Sequence, residues 1–273
     1  MKTRKTAQIA LFVASAAVSL VILIPFAMIL ISSVKNARES ALFSLSWPKE
    51  FVWKNYAVVL SKPAVLRGFL NTLLIGAVTV LLTDIFAAMA AFVIQRRPGR
   101  FSRAAYLIFF LGLIVPVSII PTIRLMMGLG LHNTYQGIIL YYIAVNLPFS
   151  IFLLTGFMKT IPKELDESAL LEGCGYLRMF FQIVMPLLMT VIVTTTIVVA
   201  IAVWDDFFGS FYLVSDFKKW TIMISIYSFV SQYQTNWGVV FAFMMLVMAP
   251  MLIVYFSLQR YIIDGLTAGS LKG

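Results

Sequence analysis

Charged residues along this chain are confined to short intervals, and long charge-free stretches lie between them. Thr6–Val34 carries no charge, and neither does Gly68–Thr83, which resumes after Asp84 and runs to Gln95. Ala104–Ile123, Leu125–Met158 (His132 apart), Met179–Trp204 and Trp220–Gln259 complete the set. A helix of about 20 apolar residues crosses a hydrocarbon core of ~30 Å, and each stretch is long enough. The last one opens with a polar half (Ser225, Ser228, Ser231, Gln232, Gln234, Asn236), which pushes its span toward the C-terminal side. The pattern predicts an all-α integral membrane protein, a single transmembrane domain over residues 1–273. Its six transmembrane helices are expected at about 7–33, 69–94, 104–126, 137–158, 183–203 and 238–259. Pro116, Pro121, Pro148 and Pro250 fall inside spans and are expected to kink them. Lys2, Arg4 and Lys5 precede the first span, whose apolar part exceeds a signal-peptide core and lacks a small-x-small cleavage site. It is expected to remain as an anchor.

Composition strengthens this picture. Hydrophobic residues make up 61% of the chain and charged residues 12%, more apolar surface than a soluble domain can hide. The single Cys174 excludes an internal disulfide framework and reads as a small packing residue. The net charge of +10 comes from basic residues flanking the spans, with no basic helix or stripe, so nucleic acid is not an expected partner. Lipid is. Basic residues mark the cytoplasmic side of short loops. With both termini inside, inner segments hold twelve of the 21 Lys and Arg, including Arg96, Arg97, Arg100 and Arg103 in one short loop. A multi-pass protein with cytoplasmic N- and C-termini is the expected topology.

That orientation places segment 159–182 in the cytoplasm, between spans four and five. Four of the chain's 11 acids, Glu164, Asp166, Glu167 and Glu172, lie there within nine positions. Pro162 suits the start of a helix, and carboxylates in a first turn favour the positive end of the helix dipole. Gly173 and Gly175 suit its end. Leu165, Ala169 and Glu172 are expected on one side of it, at spacing i, i+4, i+7. A second amphipathic stretch, YLRMFFQIVMP, follows, and Pro186 is expected to open the fifth span. Leu170, Leu171, Leu177, Phe180 and Phe181 exceed what a solvated acidic loop needs, so the segment reads as a compact helical docking element.

IPKELDESALLEGCGYLRMFFQIVMPLL (161–188) resembles the cytoplasmic loop of ABC importer permeases, with Glu167-Ser168-Ala169, then Gly173, then Met185-Pro186 at the family's hallmark spacing. Ser168 and Met185 stand where the family favours Ala and Leu. NYAVVL (55–60), NTLLIG (71–76), AAFVIQRRPGRFSR (90–103), LGLHNT (129–134), LPFSIFLLTGFM (147–158), WDDF (204–207) and RYIIDGLTAGSLKG (260–273) each resemble the matching segment of carbohydrate permeases of the maltose type, in particular the six-span subunit of the heterodimer. The resemblance implies a non-catalytic permease subunit of a binding-protein-dependent importer of a sugar or oligosaccharide. The 159–182 loop would then be the coupling helix, with Glu164 and Glu167 as rim charges, Ala169 and Gly173 keeping the surface low and the corner tight, and Pro186 setting the start of span five. Implied partners are a second homologous permease subunit, two cytoplasmic ABC ATPase subunits that bind ATP and magnesium, and an extracytoplasmic solute-binding protein. The chain itself needs no cofactor or metal. It has no phosphate-cradling Gly-x-x-x-x-Gly-Lys-Ser/Thr motif. The end of the tail, Gly265 to Gly273, is a further candidate for the ATPase interface.

Candidates along a solute pathway are Asn71, Asp84, Asn146, Trp204, Asp205 and Asp206. Asp84 is the one acid well inside a span. Intramembrane ionisable groups usually face a bundle interior, so Asp84 either lines a pathway or bonds a neighbouring helix. Asn71 and Asn146 pose the same choice. WDDF pairs an aromatic ring with acids, which suits sugar hydroxyls and equally a membrane-interface anchor; the cluster Trp47, Phe51, Trp53, Tyr56 reads either as a contact for the binding protein or as an interface belt. The alternative function, an ion-coupled secondary transporter of a small polar solute, would need coupling-ion sites and often internal repeats. Asp84 is the one candidate for such a site, and no repeat is visible. The only histidine, His132, reads as a loop residue.

Overall fold

The computed structural model describes residues 2–230 and 235–268, with side chains described for 11–230 and 235–257. Among them the secondary structure is entirely helical. In chain order the helices are α1 (Lys2–Ser33), α2 (Ala37–Ser40), α3 (Lys54–Leu60), α4 (Pro63–Arg96), α5 (Arg100–Ile114), α6 (Ile119–Gly128), α7 (Tyr135–Met158), α8 (Glu164–Leu171), α9 (Tyr176–Leu187), α10 (Met189–Asp205), α11 (Phe208–Leu213) and α12 (Trp237–Ala268). Short 3-10 turns at Phe217–Lys219 and Ile224–Ser228 lie between the last two.

Helix length and composition give four membrane spans, in α1, α4, α7 and α12, or five if the bent pair α9 and α10 counts as one, against the six expected. The third expected span, 104–126, is broken into α5 and α6, and neither has the roughly 20 residues a crossing helix needs. Pro116 is the reason. Val115, the residue before it, is extended at φ −77°, ψ 119°, because a following proline ring disfavours helical backbone. Pro121 sits in the first turn of α6, where its missing N–H costs nothing. Pro148 and Pro250, by contrast, lie inside continuous helices. The fifth expected span, 183–203, starts later than predicted: its straight part, α10, begins at Met189. Of the expected tail 260–273, residues 260–268 continue α12, while 269–273 lie outside the described residues, as do Ser231, Gln232 and Gln234.

The chain divides into two compact units, Met1–Leu66 with Ser225–Leu252, and Arg67–Ile224 with Ile253–Gly273. In the first, the segment after α1 is bound back onto the helix end. Asn55 donates from Nδ2 to the carbonyls of Ser33 and Lys35, both at 2.9 Å, and Ser33 Oγ shares a hydrogen bond with Tyr56 OH at 2.7 Å. Lys35 is fully buried and donates to the Ser44 carbonyl at 2.7 Å. Trp47, Phe51, Trp53 and Tyr56 form a continuous row of ring contacts with centroids 6.2–6.4 Å apart.

The second unit has two apolar layers. One joins Ala87, Ala88 and Ala91 of α4 to Ile151, Leu154 and Met158 of α7 and to Met179, Phe180, Val184, Leu188 and Val191. Three fully buried alanines on one face of α4 let helix backbones approach closely, the usual device where water does not drive association. The other layer gathers Ile75, Ile138, Tyr142, Val199, Val203 and Leu213 toward the far ends of α7 and α10. Trp204 packs beside it, edge-to-face on Phe69 at 5.7 Å.

Candidate functional site

The acidic segment closes at its C-terminal end as the sequence signals suggest, while Pro162 lies just ahead of the helix and outside its first turn. Glu164, Asp166 and Glu167 occupy the first turn of α8, where the free N–H groups attract negative charge. Its C-terminus closes in a Schellman motif. The Cys174 N–H donates to the Ala169 carbonyl and the Gly173 N–H to the Leu170 carbonyl, both at 3.0 Å, with Gly173 at φ +80°. Glycine reaches that left-handed backbone without a Cβ penalty. The small side chains of Cys174 and Ala169 pack in the same apolar layer, the contact this motif normally includes.

The side of α8 that faces inward differs from the expected one. Asp166 and Ala169, spaced i, i+3, are buried, whereas Leu165 is 43% exposed and Glu172 is already the C-cap. The stripe Leu165–Ala169–Glu172 fails because the helix ends at Leu171, one residue short of it. Ala169 therefore thins the inner contact of α8, against α4 and α7, rather than an outer surface. The outer face carries Glu164, Glu167, Ser168 and Leu171, the last 90% exposed.

Arg96 bolts α8 to the end of α4. Its Nε pairs with Asp166 Oδ2, and its two terminal nitrogens donate to the Ile161 carbonyl at 3.2 Å each. Both side chains of the pair are about nine-tenths buried. Burial pushes the Asp166 carboxyl above the ordinary aspartate range, and the attraction of Arg96 only partly offsets it. Beside this joint, Arg97 lies over the Tyr176 ring at 5.2 Å. The sequence reading missed Arg96 and Asp166 as a pair. The available signal was the i, i+3 spacing of Asp166 and Ala169.

Beyond Gly175 the chain enters α9, which contains a π-turn at Phe180–Val184, a form frequent at functional positions. Pro186 follows inside α9, and the axis then turns by 77° into α10 at Leu188. Leu188 has ψ −5° and is fully buried, so the bend is packed on its inner side. Pro186 thus lies just ahead of the bend and does not itself open the spanning helix.

The six pathway candidates fall into distinct settings. Asp84 is buried and accepts hydrogen bonds from Thr195 and Thr196 of α10, both at 2.6 Å. Asn71 is buried and donates to the carbonyls of Lys218 and Trp220 at 3.0 and 2.9 Å, while Tyr135 OH donates to its Oδ1 at 2.9 Å. Trp204 is buried. Asp206 caps α11, accepting from the Gly209 and Ser210 N–H groups at 3.2 and 3.1 Å and from Tyr142 OH at 2.8 Å. Asn146, half-buried, donates to the Tyr142 carbonyl one turn back at 2.8 Å. Asp205 is exposed at the end of α10. The hydrogen bonds of Asp84, Asn71 and Asp206 attach helices or loops to one another, whereas that of Asn146 stays within its own helix. Asn133, which sequence reading passed over, fixes the neighbouring loop: its Oδ1 accepts from the Ser215 and Asp216 N–H groups at 3.1 and 2.9 Å. Among the described residues no group of His, Cys, Asp or Glu could hold a metal ion.

Known proteins share this chain's sequence and its fold. Residues 83–267 match the binding-protein-dependent transport system inner membrane component. The chain is 31% identical to the melibiose/raffinose/stachyose import permease protein of Bacillus subtilis, over 92% of its own length and 91% of the relative's. It is 30% identical to the probable starch degradation products transport system permease protein of Thermoanaerobacterium thermosulfurigenes, over 93% of both chains. It is 31% identical to the trehalose/maltose transport system permease protein of Thermococcus litoralis, over 81% of both. Its fold resembles a chain of a bacterial ABC transporter involved in the import of the acidic polysaccharide alginate, with TM-score 0.84 at 20% identity, covering 96% of this chain and 98% of that one. Membership of such a system implies ATPase and substrate-binding protein partners. With apolar spanning helices and a family match over most of its length, this chain belongs to the inner membrane components of binding-protein-dependent transport systems, as a multi-pass, non-catalytic permease of an ABC importer.

Proposed function

We propose that this permease translocates a sugar or oligosaccharide and receives the work of ATP hydrolysis through the elbow formed by residues 159–188. The observation that carries the reading is the two-sided character of α8. Its inner face is fixed by Arg96, Asp166 and Ala169 to the end of a spanning helix, while its outer face leaves Glu164, Glu167 and Leu171 free. A segment built this way passes a push on its outer face to α4 and, through α9, to α10. Glu164 and Glu167 are the rim charges for basic groups of the ATPase, Gly173 closes the corner, and Pro186 lies ahead of the bend. The sugar assignment draws on the relatives, which are named for melibiose, raffinose, stachyose, trehalose, maltose and starch products.

In this reading the chain acts as one permease domain with six crossings, α5 and α6 making the third together. It pairs with a second homologous permease and two ATPase subunits that bind ATP and magnesium, and an extracytoplasmic solute-binding protein delivers the solute. Both termini lie in the cytoplasm, in keeping with the basic loop Arg96–Arg103. Asp84 accepts a threonine hydroxyl at each oxygen, a setting that also suits a bond between α4 and α10. Asp205, exposed at the end of α10, is the most accessible of the candidates for solute contact. Reconstitution tests the proposal: vesicles holding all subunits, the binding protein and internal ATP accumulate oligosaccharide, and vesicles holding this chain alone do not. Uphill uptake by the chain alone under an ion gradient would overturn it.

A further inference from the structure

A cavity of about 400 Å³ lies beneath the elbow, between the end of α4 and helices α8 and α9. Its walls change character with depth. Met89, Phe92 and Val93, one to two turns inside the spanning helix, and Leu177 make an apolar wall; Arg97 and Lys163 stand among its polar residues. Neither cation has a carboxylate within 4 Å among the described residues; Arg97 has only the Tyr176 ring. Asp166 also lines the cavity. Its Oδ2 is held by Arg96, but its Oδ1 is buried without a hydrogen-bond partner. An unused buried acceptor is costly unless something donates to it.

We propose that this cavity binds an anionic glycerophospholipid with a hydroxylated headgroup, phosphatidylglycerol being the simplest. The phosphate lies between Arg97 and Lys163, a headgroup hydroxyl donates to Asp166 Oδ1, and the first part of an acyl chain lies on Met89, Phe92 and Val93. Basic pockets at the ends of membrane helices hold such headgroups elsewhere. Glu167 borders the cavity without an ion pair to either cation, and Arg96 is already matched to Asp166. Two features select lipid over a soluble anion. The cavity wall continues along an exposed stripe of α4, Phe86, Met89 and Val93, at helical spacing, the route an acyl chain would follow. The apolar wall would also be left wet by phosphate alone. The site rests on the membrane-spanning reading and is independent of which solute is carried.

The test uses the complete transporter purified in mild detergent, delipidated, and titrated with mixed micelles of phosphatidylglycerol or phosphatidylcholine. Bound lipid is counted by native mass spectrometry. The wild type retains phosphatidylglycerol and not phosphatidylcholine. Arg97→Gln/Lys163→Gln weakens retention about a hundredfold or more, the loss of two charge-assisted contacts. Val93→Trp, which fills the wall from the membrane side and keeps every charge, also lowers occupancy. Equal retention by wild type and both variants would overturn the proposal. So would displacement by inorganic phosphate alone, which assigns the cations to a soluble anion, or release of an ATPase subunit by the double variant with lipid retention unchanged, which assigns the surface to a protein.

Discussion

Arg96→Met is the most direct challenge to the joint under α8. The substitution keeps an unbranched apolar stem, shorter than arginine, and removes the ion pair to Asp166 together with both bonds to the Ile161 carbonyl. It leaves Asp166 buried and unmatched. Removing one member of a buried pair costs about 3–5 kcal/mol, and each 1.4 kcal/mol is about tenfold in an equilibrium. The docked state of α8 should therefore lose about two to three and a half orders of magnitude against the undocked one. Asp166→Asn should also be damaging, because it removes the counter-charge of a guanidinium that is about nine-tenths buried, although the amide oxygen can still accept from Arg96. Arg96→Met/Asp166→Leu should recover most of the loss, since an apolar pair of similar volume is often neutral in place of a buried ion pair. Hydrogen exchange at residues 159–175 in the purified transporter reads the docking directly. The ratio of solute moved to ATP hydrolysed in proteoliposomes reads its consequence: Arg96→Met should hydrolyse ATP with little transport. Wild-type protection and coupling in Arg96→Met would refute the reasoning, as would a double variant as damaged as the single one.

Other substitutions probe separate parts. At Gly173 a Cβ meets no atom within 4 Å, so the penalty is conformational. Gly173→Asn should retain coupling, Gly173→Ala should cost about 1 kcal/mol, and Gly173→Val more, ranked by uptake rate. Leu171→Asp should leave folding and membrane insertion unchanged, because the side chain is almost wholly exposed, yet reduce ATPase co-purification. Retained co-purification would move the docking face elsewhere. Gly209→Ala places a Cβ 2.5 Å from Asp206 Oδ2 and 2.6 Å from Tyr141 Cε1 and should lower stability by about 1–3 kcal/mol. Asp206→Ala should do so similarly, losing the α11 cap at about 1 kcal/mol and the Tyr142 bond; thermal unfolding of the intact complex measures both.

Much of the architecture was legible because the membrane imposes long charge-free runs, and the Gly173 corner was legible because only a few residues tolerate its backbone. The break in the third span was not. Hydropathy adds residues without regard to backbone angles, and Pro116 appeared as a kink when its effect on Val115 ends the helix. The bend at Leu188 is hidden for the same reason, since Pro186 marks the start of a span in sequence and the turn falls two residues later. For the polar groups, sequence shows that Asp84 or Asn71 needs a partner but not where it is. Thr195 and Thr196 on α10, and the Lys218 and Trp220 carbonyls, come near only through packing. Arg96 and Asp166 were each visible for another purpose, one as a topology marker and one as a dipole charge. Their pairing requires the inward face of α8, which the choice of the i, i+4, i+7 stripe misplaced.

The 77° turn at Leu188 sets a gearing ratio. The 17 residues of α10 extend about 25 Å from that pivot. A tilt of about 10° there would swing the opposite tip, which bears Asp205, by roughly 4 Å. Under the proposed coupling, displacements of an ångström or so near the fulcrum would become several ångströms at the far end of α10, and the buried Leu188 would keep that amplification from being lost as slack.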